Sequence, residues 1–198
     1  HFLENDGTGL FSRKNVPAFN AVTAGEPNHA VITDLDQDGD LDLAVAFAST
    51  SEVAWFENNA TGDGTFANKA TLALAYPNLG VPDCIATGDL DGDSFLDLVV
   101  AYRAQDVVVW YKNDGASDPS FIWKGSVMSS AEGLDAPRSL ELADIDNSGS
   151  LDVIISANQN IYLALNDGRE TIFTTSSLAS FTGAGVVAKA VDVTSDGL

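Results

Sequence analysis

An acidic motif recurs four times along the chain, and its spacing restricts the fold more than any other feature. The copies are DLDQDGDLDL from Asp34, DLDGDSFLDLVV from Asp89, DIDNSGSLDVII from Asp144 and DVTSDGL from Asp192, with first aspartates 55, 55 and 48 residues apart. A fixed period of that length marks repeat architectures such as propellers and solenoids, in which each unit buries its apolar face against the next. Other positions keep the same register. Pro27, Pro82 and Pro137 each precede a motif by seven residues, and Trp55 and Trp110 follow the first aspartate of theirs by 21, with Leu163 the corresponding residue of the third unit. The triplets at Glu4, Glu57, Lys112 and Leu165 are each followed by a phenylalanine, at Phe11, Phe66, Phe121 and Phe173.

Within a unit, β-branched and apolar runs separated by turn residues predict four short strands, in the first complete unit over residues 29–33, 41–47, 53–57 and 66–74. The NDG triplets at Asn113 and Asn166 read as hairpin turns, because Asn, Asp and Gly tolerate positive φ. Runs such as LVVAY and VVVWY are apolar at consecutive positions, as in sheets covered on both faces. The expected fold is therefore all-β, a β-propeller of four-stranded antiparallel blades. Its repeats run over 1–26 and 185–198 as partial blades, and over 27–81, 82–136 and 137–184 as full ones. Closed propellers have roughly four to eight blades, so the expectation is a partial ring belonging to a longer chain.

Charge narrows the partners. With 29 acidic residues against 9 basic ones the formal charge is −20, which disfavours nucleic acid and anionic membranes and favours cations. No apolar run reaches the roughly 18 residues of a membrane span, so no membrane insertion is expected in this segment. Cys84 is the single cysteine, which excludes an internal disulfide and reads as a small buried apolar residue.

Fourteen of the 29 acidic residues lie in the four motifs, five, four, three and two in turn. Like charges so close repel unless a cation answers them. Counting from the first aspartate, positions 1, 3, 5 and 9 offer side-chain oxygens, position 7 a backbone carbonyl, and a glycine near position 6 permits a sharp turn. Such a set suits Ca²⁺, which takes six to eight oxygen ligands in flexible geometry, better than Mg²⁺, which requires a tight octahedron. Zinc is disfavoured because no Cys/His cluster accompanies the aspartates.

Loop one offers Asp34, Asp36, Asp38 and Asp42 with the carbonyl of Asp40, and Gly39 at the turn. Loop two offers Asp89, Asp91, Asp93 and Asp97 with the carbonyl of Phe95, but has Ser94 where loop one has glycine. In loop three, Asp144, Asp146, Ser148 and Asp152 with the carbonyl of Ser150 exchange one carboxylate for a hydroxyl, so weaker binding is expected. Loop four offers only Asp192, Thr194 and Asp196 and is expected to bind poorly. An EF-hand needs a bidentate Glu at position 12, where this chain has Val45, Val100 and Ile155. Dockerin-type loops lead into helices, whereas these lead into β patterns.

The D-x-D-x-D-G-x-x-D loop entering an apolar strand, the Trp-aromatic strand and the N-D-G…F hairpin together resemble the FG-GAP/VCBS repeat family, the blade type of integrin α-subunit heads and of many secreted proteins. The resemblance implies a propeller in which each loop joins the first two strands of a blade and holds one Ca²⁺. After the second strand the chain reads AFAST, AYRAQ and SANQN, without Gly-Ala-Pro. That departure points to the VCBS-like branch, mostly extracellular binding or structural modules.

The function expected from these features is an extracellular, secreted or cell-surface calcium-binding module. Its role is structural, adhesive or in assembly, its partners other protein chains or glycans at the cell surface. The sequon Asn59-Ala60-Thr61 offers a glycosylation site on a turn. The alternative is a lectin-like propeller. For that role Trp123, outside the repeated pattern, is a better sugar platform than Trp55 or Trp110, whose repeated position predicts packing between blades. An enzyme of the lyase or dehydratase type is the third class; with only His1 and His29, and no G-x-S-x-G or H-E-x-x-H, no enzymatic activity is expected. Glu141 and Lys189, each three residues before a motif, are placed to pair between adjacent blades if first strands line a common axis.

Overall fold

A computed structural model describes residues 2–14, 26–58, 66–72, 80–117, 119–168, 173–182 and 187–190 of the chain. The strands are β1 (Phe2–Asn5) and β2 (Phe11–Lys14), then β3 (Pro27–Thr33), β4 (Asp42–Phe47), β5 (Glu52–Asn58) and β6 (Phe66–Leu72). A second set follows as β7 (Cys84–Gly88), β8 (Asp97–Tyr102), β9 (Val107–Asn113) and β10 (Phe121–Ser129), and a third as β11 (Ser139–Ala143), β12 (Asp152–Ser156), β13 (Asn160–Asn166) and β14 (Phe173–Ser180). Each set forms one four-stranded antiparallel sheet with its strands in chain order, and β1 and β2 form a separate hairpin. Each sheet falls inside one sequence repeat. Among the described residues there is no α-helix; the regular exceptions to β structure are short 3-10 turns at Arg103–Gln105 and Ser130–Glu132.

The first strands lie side by side, β7 contacting both β3 and β11, so the sheets radiate from their innermost strands as propeller blades do. Packing there is close: a Cβ added to Gly88 at the end of β7 would stand 2.7 Å from the Leu151 side chain (Cδ1) of the next blade. Lys189 Nζ lies 3.0 Å from Glu141 Oε2 on β11, the pairing expected from their shared position; with Lys189 70% exposed it contributes little stability.

Blade two shows why its strands are apolar at every position. Successive side chains of a strand point to opposite faces. Leu98, Val100, Val109 and Tyr111 join Ala44, Ala46, Val53 and Trp55 in one core between blades one and two. Val99, Ala101, Val108 and Trp110 join Val153, Ile155, Tyr162 and Ala164 in a second core between blades two and three. Trp55 and Trp110 are buried in these cores, and Trp110 meets Phe173 of blade three edge-on, ring centres 6.2 Å apart. Trp123 on β10 remains 40% exposed.

Candidate metal-binding loops

Each of the first three acidic motifs closes the hairpin between a blade's first and second strands, and the ninth residue fixes its frame. Asp42, Asp97 and Asp152 begin β4, β8 and β12, paired with the last residues of β3, β7 and β11: Thr33, Gly88 and Ala143. All three carboxylates are fully buried. Asp42 accepts from Leu35 N at 3.2 Å and Asn58 N at 2.8 Å. Asp97 accepts from Leu90 N at 3.0 Å and Asn113 N at 2.9 Å, and Asp152 from Ile145 N and Asn166 N, both at 2.8 Å. One oxygen thus holds the loop and the other the end of the third strand.

The first aspartate gathers the turn. Asp34 Oδ2 accepts from Gly39 N at 3.1 Å, Asp89 Oδ2 from Ser94 N at 2.8 Å and Asp144 Oδ2 from Gly149 N at 2.8 Å. All three loops adopt one backbone, with positive φ at position 4 (Gln37, Gly92, Asn147) and at position 6 (Gly39, Ser94, Gly149). Ser94 reaches the turn with φ of 76°, so loop two keeps the fold of the others at the cost of a serine in the left-handed region. Position 7 hangs on position 5, with Asp40 N donating to Asp38 Oδ1 at 2.9 Å, Phe95 N to Asp93 Oδ1 at 2.9 Å and Ser150 N to Ser148 Oγ at 3.3 Å.

This scaffold brings together positions 1, 3 and 9. Ligand atoms of Asp34, Asp36 and Asp42 lie within 4.8 Å of one another, as do those of Asp89, Asp91 and Asp97 and those of Asp144, Asp146 and Asp152. Asp38 groups instead with Asp36 and Glu57. Asp34 Oδ1 and Asp91 Oδ1 are buried with no hydrogen-bond partner, the condition of an oxygen set to receive a cation. The all-oxygen donor sets fit a hard ion such as Ca²⁺. Asn59, Asp192, Thr194 and Asp196 lie outside the described residues.

Electrostatics follow the crowding. Desolvation pushes the carboxyls of Asp36 and Asp42 above their ordinary values, against the backbone N–H groups that hold them. For Asp97 burial takes the pKa up to about 6. The indole N–H groups of Trp55 and Trp110, buried without a bond of normal geometry, lie near enough to Asp42 and Asp97 to favour their ionised forms. Loop two contains a cation of its own. Lys112, from the end of β9, bonds Asp91 and sits 3.0 Å from Asp93 Oδ2. Hydrogen bonds to Asp91 and then Asp93 raise its pKa, and at Asp93 desolvation is outweighed by the Phe95 N–H and Lys112, leaving that carboxyl below its ordinary value.

A second element of the loops is an asparagine ending each third strand. Asn113 Nδ2 donates to Leu96 O of its own blade at 3.1 Å and to Leu35 O of blade one at 3.0 Å. Asn166 Nδ2 likewise donates to Leu151 O at 3.1 Å and to Leu90 O of blade two at 2.7 Å. Leu35 and Leu90 also bury their side chains in the cores shared with the following blade. Loops one and two are therefore each stapled to the next blade through their second residue. The repeating Asn58, Asn113 and Asn166 were visible in the sequence as turn residues, and the Glu57, Lys112, Leu165 column as a change of charge. Neither pattern alone showed what these side chains reach.

The model of the FG-GAP-like repeat matches residues 34–100 and 89–155, two overlapping spans that each begin at the first aspartate of one loop and end in the second strand of the following blade. Comparison with curated proteins finds no match.

Proposed function

The chain belongs to the FG-GAP-like repeat family, and from that premise we propose that it is an extracellular propeller module whose blade loops each hold Ca²⁺, serving structure, adhesion or assembly without chemistry of its own. The observation that carries this reading is the convergence of three carboxylates in each of three loops, with Asp34 Oδ1 and Asp91 Oδ1 buried and unpartnered. A bound divalent ion would neutralise this crowding and complete the bonding of those oxygens. Extracellular placement accords with the chemistry: modules with Kd near ~0.1 mM fill only where Ca²⁺ approaches ~1 mM, each site then adding about 1.4 kcal/mol. The one histidine among the described residues, His29, accepts from Ile85 N of the neighbouring blade at 3.3 Å, a structural task.

Thermal melts with calcium and with chelator test the proposal. Two filled sites would raise stability by roughly 3 kcal/mol and Tm by about 6–12 °C. Identical melts would defeat it. Glycan binding is the second reading, favoured by the exposure of Trp123. A glycan array that stays blank with and without calcium would dismiss it.

A further inference from the structure

The three described loops differ in one residue that does not belong to the acidic motif. Glu57, Lys112 and Leu165 each stand immediately before the asparagine whose N–H is held by the ninth aspartate. In blade one this register carries a carboxylate within 4.8 Å of Asp36 and Asp38. In blade two it carries an ammonium bonded to the corresponding Asp91 and Asp93. In blade three it carries an uncharged leucine. The side chain in this register reaches positions 3 and 5 of its own loop in both blades where it is charged, with opposite sign.

Resting on the reading that these loops hold calcium, we infer that Lys112 is a tethered counter-ion of loop two: it balances the carboxylates that an ion balances in loop one, so loop two keeps its shape without calcium and binds it more weakly. Asp91 is the residue at stake, its side chain only 4% exposed and already bonded to Lys112 through Oδ2. A divalent ion entering there meets a fixed positive charge and must displace it, whereas in loop one it meets Glu57 as a further anion. Loop two can thus act as a constitutive brace between blades, while loop one responds to calcium.

Two measurements test this on the whole chain. The first uses the unaltered protein and follows exchange of the matched amides of Gly39 and Ser94, each bonded to the first aspartate of its loop. Chelator is expected to speed exchange at Gly39 about tenfold or more and at Ser94 by less than about threefold. The second uses terbium as the probe ion, sensitised by the tryptophan beside each loop. In a Trp123→Phe background, Trp55→Phe leaves Trp110 to report loop two, and Trp110→Phe leaves Trp55 to report loop one. Half-saturation is expected at about tenfold higher terbium for loop two. Lys112→Leu should close that gap and Glu57→Lys should open an equal one in loop one. Equal acceleration of both amides, or coincident terbium curves unmoved by Lys112→Leu, overturns the inference while leaving the calcium reading intact. A protein in which neither amide responds and terbium gives no signal loses the calcium reading, and this inference with it.

Discussion

Replacing Ser94 by glycine should stabilise the protein, and the size of the gain can be worked out from the loop itself. Ser94 holds φ of 76°, where loops one and three place Gly39 at 97° and Gly149 at 89°. An L-residue in that region carries about 1–2 kcal/mol of strain. Glycine relieves it but adds conformational freedom to the unfolded chain, an offset of roughly 0.5–1 kcal/mol. The serine side chain is exposed, and the bond that matters, Ser94 N to Asp89 Oδ2 at 2.8 Å, belongs to the backbone and survives the change. The net expectation is a gain of about 0.5–1 kcal/mol, or about 1–4 °C in Tm for a chain of this size. The reciprocal variant makes the test stringent. A Cβ added at Gly39 meets nothing within 4 Å, so Gly39→Ser introduces backbone strain without a clash and should lose about as much as Ser94→Gly gains. Both variants belong in chelator, where ion affinity does not enter, and urea and thermal melts should agree. Should Ser94→Gly lower the midpoint, or Gly39→Ser leave it unchanged, the strain argument is wrong.

Other substitutions probe the frame. Asp97→Asn keeps the shape of the side chain but turns one of its two acceptors into a donor facing a backbone N–H, so urea unfolding should show a loss of about 2–4 kcal/mol. Asn113→Ala strands the carbonyls of Leu35 and Leu96 and should lose about 2–3 kcal/mol by the same assay; a loss below about 0.5 kcal/mol would contradict the staple. Burial pushes the Cys84 thiol up to about 12. The folded protein should therefore resist a thiol reagent at pH 8, and denaturant should release one equivalent; rapid labelling of the native state would refute the burial.

The architecture was legible because repetition averages out local ambiguity. A single run such as LVVAY does not distinguish a buried strand from a buried helix, but three runs in register, each entered through an acidic turn, leave only a stacked β unit. Trp55 and Trp110 were legible for the same reason, and the pairing of Lys189 with Glu141 followed from two residues sharing one position. What the sequence concealed lies in contacts across long separations. Lys112 reaches aspartates some twenty residues earlier because β8 and β9 fold back on each other, a consequence of strand register and not of local pattern. Asn113 reads locally as a turn former, yet its amide joins a carbonyl 78 residues away. The ninth aspartate looked like a ligand alone, whereas both its oxygens also organise backbone. Ser94 looked like a defect in loop two, but the aspartate one turn earlier pulls its N–H into the same geometry that glycine adopts elsewhere.

The asparagine staple gives the stack a polarity. In the staple at both described joints the asparagine amide belongs to the later blade and the carbonyl to the earlier one, while at the first joint Asn28 and Gln37 of blade one donate the other way, to Pro82 O and Ser94 O, so a blade meets its two neighbours through different groups. Contacts of this kind are heterologous, one side of a blade matching the opposite side of the next, and a two-fold pairing of like sides would separate each staple amide from its carbonyl. Blades joined in this way stack head to tail, each staple requiring the third strand of the later blade to face the loop of the earlier one.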